Sequence, residues 1–199
     1  NMDKAMHYLT LAADQNDKYA QLMVGKFYFN EEYVPINMNK SIHYLTLAAN
    51  QGLIEAQRLL GKFYYNGQYI HRDIKKSIHY LTLAANQDDL NSIVLLAKTY
   101  YNGKLVPVQI DKAVHYFELA SKKNHVQSQY ILGTSYYLGH KTPKDINKAI
   151  YYLTLAANQN DEQSQIQLGH IFLGEDVPRD ISRSIYYYSM KNCETLSLQ

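Results

Sequence analysis

The string HYLTLAA begins at His7, His43 and His79, with variants from His115 and Tyr151, so the chain repeats itself every 36 residues. Lys4, Lys40, Lys76, Lys112 and Lys148 keep this spacing, as do Leu11, Leu47, Leu83, Leu119 and Leu155. A sixth unit, from Asp180, starts one residue early because the stretch from Gly169 to Gly174 is one residue shorter than that from Gly133 to Gly139. A unit of this size cannot bury an apolar face alone, so copies must stack, each covering the next.

Each period carries two helical patterns separated by turn residues, which a helix hairpin produces and a β-blade does not. From Leu53 to Gln87, the first half sets Ala56, Leu59, Leu60, Phe63 and Tyr64 at offsets of three and four, then stops at Asn66 and Gly67. Asp73 then supplies an N-cap oxygen for a second helix whose buried face is Ser77, Ile78, Leu81, Ala84 and Ala85. Asn37, Asp145 and Asp180 hold the equivalent cap position, with Gln109 the weaker version. Pro35, Pro107, Pro143 and Pro178 stand two residues ahead of caps, where proline turns the chain without removing a helix hydrogen bond.

Gly25, Gly61, Ala97, Gly133 and Gly169 share one mid-helix position, although glycine there costs about 1 kcal/mol relative to alanine. Close backbone approach compensates that cost. The alanine pairs at 12–13, 48–49, 84–85 and 156–157 serve the second helices in the same way.

Leu60-Gly61, Tyr64-Tyr65, Gly67, Asp73, Lys76-Ser77, Tyr80-Leu81 and Ala84-Ala85-Asn86-Gln87 together resemble the Sel1-like repeat family, a relative of the tetratricopeptide repeats. The resemblance recurs along nearly the whole chain. Two departures, Tyr-Leu in place of an aromatic followed by Tyr, and Ala97 in place of glycine, keep apolar or small residues where packing requires them. It implies an all-α fold, a right-handed superhelical α-solenoid of antiparallel helix pairs, and an adaptor or scaffold with a concave groove. Residues 1–199 are then one array: an orphan second helix at 1–14, pairs at 17–50, 53–87, 90–123, 126–159 and 162–191, and a tail at 192–199. The orphan helix and the missing initiator Met suggest further repeats upstream, whereas the loss of pattern after Met190 reads as the end of the array.

Transferred from the tetratricopeptide arrangement, the groove face of the first helices holds Lys26, Lys62, Lys98, Thr134 and His170 at one level. A second level holds Phe29, Tyr65, Tyr101, Tyr137 and Phe172, beside Asn30, Asn66 and Asn102; Arg58 joins through its four-residue spacing to Lys62. Ammonium groups, amides and tyrosines suit a protein or peptide partner that is acidic or extended. Repeat copying alone would also propagate exposed lysines, and the asparagines also suit helix ends.

His7, His43, His79 and His115 share a position opposite Leu45 and Ala49, on the solvent side of the second helix. Packed helices stand about 8–10 Å apart, too far for successive histidines to share a zinc whose ligands lie at about 2.0–2.1 Å. No metal or other cofactor is expected. Phosphate-binding glycine loops, His-Glu-x-x-His helices, nucleophile elbows and CxxC pairs are absent from the sequence, and Cys193 lies in the polar tail, so no catalytic residue is assigned. Asp88-Asp89 and Glu31-Glu32 read as solvated loop charges. The net charge of +2 gives no field for nucleic acid or anionic lipid, no apolar run is long enough to span a membrane, and one cysteine suits the cytoplasm. Two functions remain: an interaction scaffold, or a regulatory or targeting repeat domain whose catalytic partner domain lies elsewhere in a longer protein.

Overall fold

The computed structural model describes residues 2–30 and 35–190, with side chains from residue 4 onward. Glu31-Glu32, Cys193 and the tail at 192–199 lie outside the described residues. The described residues form eleven helices: α1 (Met2–Asp14), α2 (Lys18–Phe27), α3 (Met38–Asn50), α4 (Ile54–Asn66), α5 (Ile74–Ala85), α6 (Leu90–Asn102), α7 (Ile110–Lys122), α8 (Val126–Leu138), α9 (Ile146–Ala157), α10 (Glu162–Leu173) and α11 (Ile181–Met190). The fold is an all-α repeat solenoid, as the 36-residue period requires.

Two compact units divide the chain, the first running to Thr99 with Lys104–Val106, the second holding Tyr100–Gly103 and the chain from Pro107. In unit 1, α2 pairs with α3 and α4 with α5, while α1 packs on α2 and α3 on α4. Its core gathers Leu22, Leu45, Ala48, Ala49, Ala56 and Leu60, with Ala13, Ala20 and Val24 beside α1. In unit 2, α8 pairs with α9 and α10 with α11, around Leu153, Ala157, Leu168, Ile171 and Phe172.

The expected caps form: Asn37, Asp73, Asp145 and Asp180 accept from the backbone N–H three residues on, whereas Gln109 makes no side-chain cap bond. Asp17, Asp89, His125 and Asp161 cap first helices likewise. Asp89 therefore departs from the solvated-loop expectation. Gly67 ends α4 at φ +66°, and a Cβ there would also stand 2.8 Å from Arg72 Cβ, so glycine is required twice over. At Gly61 the issue is proximity: a Cβ would lie 2.7 Å from Leu81 Cγ.

Two polar devices recur with the period. Gln21, Gln57, Gln129 and Gln165 are buried, and each donates its amide to a carbonyl eight residues back, at Ala13, Ala49, Ser121 and Ala157. Gln51, Gln87 and Gln159 in turn donate to the Oε1 of Gln21, Gln57 and Gln129 at 2.8 Å. The bonds to carbonyls give a second donor to helix-end oxygens that already accept a backbone N–H from the following turn. The second device explains the periodic lysines. Tyr64 stacks on Tyr80, rings 6.1 Å apart and 6° from parallel, with Lys76 Nζ 5.2 Å from the Tyr64 ring. Tyr28–Tyr44 with Lys40, Tyr100–Tyr116 with Lys112, and Tyr136–Tyr152 with Lys148 repeat the arrangement.

Candidate functional site

In unit 1 the first helices α2 and α4 lie side by side, joined by Lys26 Nζ to Glu55 Oε1 at 2.9 Å. Arg58 of α4 reaches toward Asp89 Oδ1, 3.9 Å away at the start of α6. Both Lys26 and Glu55 are about two-fifths exposed, so this pair contributes little stability and exchanges readily for another carboxylate. Lys62 and Lys98, at the same repeat position on α4 and α6, are exposed and make no ion pair among the described residues.

A cleft of about 300 Å³ brings Lys26, Phe29 and Asn30 together with Met23 and Phe27. Phe29 meets Phe63 edge to face at 5.1 Å, and Tyr65 is half-buried on the following repeat. Asn66 is exposed at the end of α4, where its carbonyl accepts from the Arg72 guanidinium at 3.2 Å. Six predicted residues of unit 1, Lys26, Asn30, Arg58, Lys62, Asn66 and Lys98, therefore offer charge or amide groups, and Phe29 and Tyr65 offer rings.

Unit 2 carries the remainder differently. Tyr101 donates to or accepts from Ser135 Oγ at 3.1 Å, and Lys141 Nζ sits 3.8 Å from its ring centroid, so one ring face is already covered. Asn102 ends α6 and is exposed. Tyr137 is half-buried with Lys144 Nζ 5.7 Å from its ring, Thr134 bonds Gln167 at 2.9 Å, and exposed His170 meets Tyr188 edge to face. Phe172 does not belong to the exposed level: it stands 36 residues after buried Tyr136 and is buried against Tyr187, and Leu173, 36 residues after Tyr137 and 40% exposed, takes that place.

His7, His43, His79 and His115 are exposed and each rests edge-on against the tyrosine that follows it. Among the described residues no three His, Cys, Asp or Glu side chains gather in a way that holds a metal ion. No described helix is long and apolar enough to cross a membrane. Three phenols are perturbed: burial, then the Glu118 carboxylate, pushes Tyr152 well up, and burial does the same to Tyr100 and, helped by Asp14, to Tyr44.

Paired helices recurring with one period, with side chains in register along them, define a helical-repeat solenoid. The Sel1 repeat model matches residues 1–17, 18–53, 54–89, 91–125, 126–161 and 163–190, and the chain belongs to the Sel1 repeat family. Sel1 repeat proteins are generally protein-interaction scaffolds and typically non-catalytic. Among solved structures, a protective antigen of uropathogenic Escherichia coli strains with an SLR fold is 25% identical, with a TM-score of 0.76 over 95% of this chain and 41% of that one. A Sel1 repeat protein from Oxalobacter formigenes is 26% identical, with a TM-score of 0.67 over 98% of this chain and 56% of that one. The chain thus spans about half or less of the length of these two relatives. No curated protein matches it.

Proposed function

We propose that the first-helix face of unit 1 is a docking groove for an acidic, extended segment of a partner protein, and that the chain works as an adaptor without catalysing a reaction. The supporting observation is the row of Lys26, Lys62 and Lys98 on successive first helices, one exchangeably paired and two without an ion pair among the described residues, beside the cleft at Phe29 and Asn30. Ammonium groups at one repeat position meet carboxylates spaced along an extended strand, while Tyr65 and Phe29 offer flat contact and Asn30 and Asn66 offer amides. Arg58 adds a guanidinium whose present partner, Asp89, also has a cap to serve. Tyr101, Asn102, Tyr137 and His170 give the corresponding positions of unit 2 an aromatic surface for the same class of partner. A single cysteine in 199 residues supports a cytoplasmic setting for this adaptor.

The test is a titration of the 15N-labelled chain with an acidic extended peptide, followed by amide shifts. Saturable shifts on α2, α4 and α6 that weaken with salt are expected, since exposed charges are screened over about 8–10 Å near physiological ionic strength. Shifts confined to the second helices would contradict the reading.

A further inference from the structure

One stretch of unit 2 breaks the repeat in several places at once, and the breaks converge on a single cleft. Where the turns after α4 and α6 carry Tyr69-Ile70 and Leu105-Val106, and the last turn Asp176-Val177, the turn between α8 and α9 carries Lys141-Thr142. Where other second helices carry Thr10, Thr46, Thr82 and Thr154, α7 carries Glu118. These three substituted positions all line a cleft of about 470 Å³ between α7 and the α8–α9 turn, within the range of small-ligand pockets.

Its α7 wall is acidic and its other wall mostly basic, with Asp145 there engaged as the cap of α9, and the two walls do not pair with each other. On α7, Asp111, His115 and Glu118 lie at helical spacing along one face; Asp111 makes no ion pair among the described residues, and Glu118 accepts only the Tyr152 phenol at 3.2 Å. On the turn, Lys144 is held by Asp176 at 2.6 Å and Lys141 by the Tyr101 carbonyl at 2.7 Å. Lys148 rests over the Tyr136 ring and has no carboxylate within ion-pair reach among the described residues. Thr142, only 5% exposed, stands where the other described turns carry Ile70, Val106 and Val177, and its hydroxyl finds no hydrogen-bond partner in the protein.

An unsatisfied buried hydroxyl is costly unless a ligand completes it, and the exposed Asp111 and Lys148 stand open to a ligand on the facing walls. A ligand with one charge leaves the opposite wall uncompensated. The geometry points to a binding site for a basic residue beside an acidic one in a partner peptide, the cation set against Asp111 and Glu118, the carboxylate against Lys148 and the Thr142 hydroxyl. This site lies apart from the lysine row of unit 1 and stands or falls separately.

The probe is acetyl-Arg-Asp-amide, titrated into the 15N-labelled chain alongside the singly charged acetyl-Arg-Asn-amide and acetyl-Gln-Asp-amide. Saturable shifts at the amides of Val114, His115 and Thr142 are expected, with each singly charged peptide about tenfold weaker. Glu118→Thr and Thr142→Val restore residues that other repeats use at these positions, so both variants should keep full helicity by circular dichroism, and each should weaken binding about tenfold. Asp111→Asn, an exposed change, provides a third variant should either of the others lose helix. Absence of saturable shifts, equal binding of the singly charged peptides, or unchanged affinity in the folded variants would overturn the assignment.

Discussion

Gly61→Ala isolates the contact that sets the helix-pair spacing. On an isolated helix the change would stabilise by about 1 kcal/mol through propensity. In the fold the new methyl would stand 2.7 Å from both Leu81 Cγ and Cδ2 and 3.3 Å from the Leu81 backbone nitrogen. Leu81 is itself 1% exposed, so it has no free space to move into. Overpacking of this kind costs about 1–3 kcal/mol, which offsets the propensity gain and leaves a net loss of up to about 2 kcal/mol. Leu81→Ala alone should cost about 2–5 kcal/mol as a cavity change. In the double variant the clash disappears, so the losses should fall short of additivity by about 1–3 kcal/mol. Urea unfolding followed by circular dichroism measures all three, with the slope checked for constancy so that the midpoint reports stability. His43→Leu, on the exposed side of α3, serves as control and should shift stability by no more than about 0.5 kcal/mol. A Gly61→Ala variant more stable than wild type, or strict additivity in the double variant, would refute the close-packing account.

Gln57→Ala should cost about 1–3 kcal/mol in the same assay, because it removes the bonds to the Ala49 carbonyl and from the Gln87 amide and leaves a void where a side chain is only 3% exposed; wild-type stability would show that the glutamine ladder is incidental. The raised phenol of Tyr152 gives a sign for alkaline behaviour: the folded state holds this proton more tightly than the unfolded chain, so the contribution is complete below the ordinary tyrosine value of about 10 and is lost as pH rises beyond it. Tyr152→Phe should flatten the fall in stability above about pH 10, and an unchanged slope would remove Tyr152 as its source.

The period, the helix pairs and the second-helix caps were legible because each is a local signal copied every 36 residues. The glutamine ladder was copied just as faithfully and still missed, since a polar side chain reads as surface until its partner is known. That partner, a carbonyl at the end of the preceding helix, exists only once the pair is packed. Asp89 was misread for a related reason: two adjacent aspartates look like loop charge, and only the backbone decides which one caps α6. The groove lysines were placed on first helices by periodicity, but the Glu55 partner of Lys26 lies in the next repeat, beyond any three- or four-residue spacing rule. Phe172 failed on register: it was set 35 residues after Tyr137, but the one-residue shortening falls after Leu173, so Phe172 keeps the buried position of Tyr136. Lys40, Lys76 and Lys112 proved to be packed over tyrosine rings, so their removal would change the core edge as well as the charge.

The central claim is that unit 1 binds an acidic partner segment through positioned lysines rather than through overall charge, and one comparison tests it directly. Lys26, Lys62 and Lys98 are replaced together by Ala; in a matched variant, Lys75, Lys104 and Lys122, exposed and without ion pairs among the described residues, are replaced instead. Both variants lose three charges. Fluorescence polarisation of a labelled acidic peptide should show the first variant weakened by about severalfold to a hundredfold, as charge-assisted contacts predict between their exposed and desolvated limits. The matched variant should bind within about twofold of wild type, because distant exposed charges are screened. Equal weakening in both would mean that net charge alone attracts the peptide, and the groove would have to be abandoned.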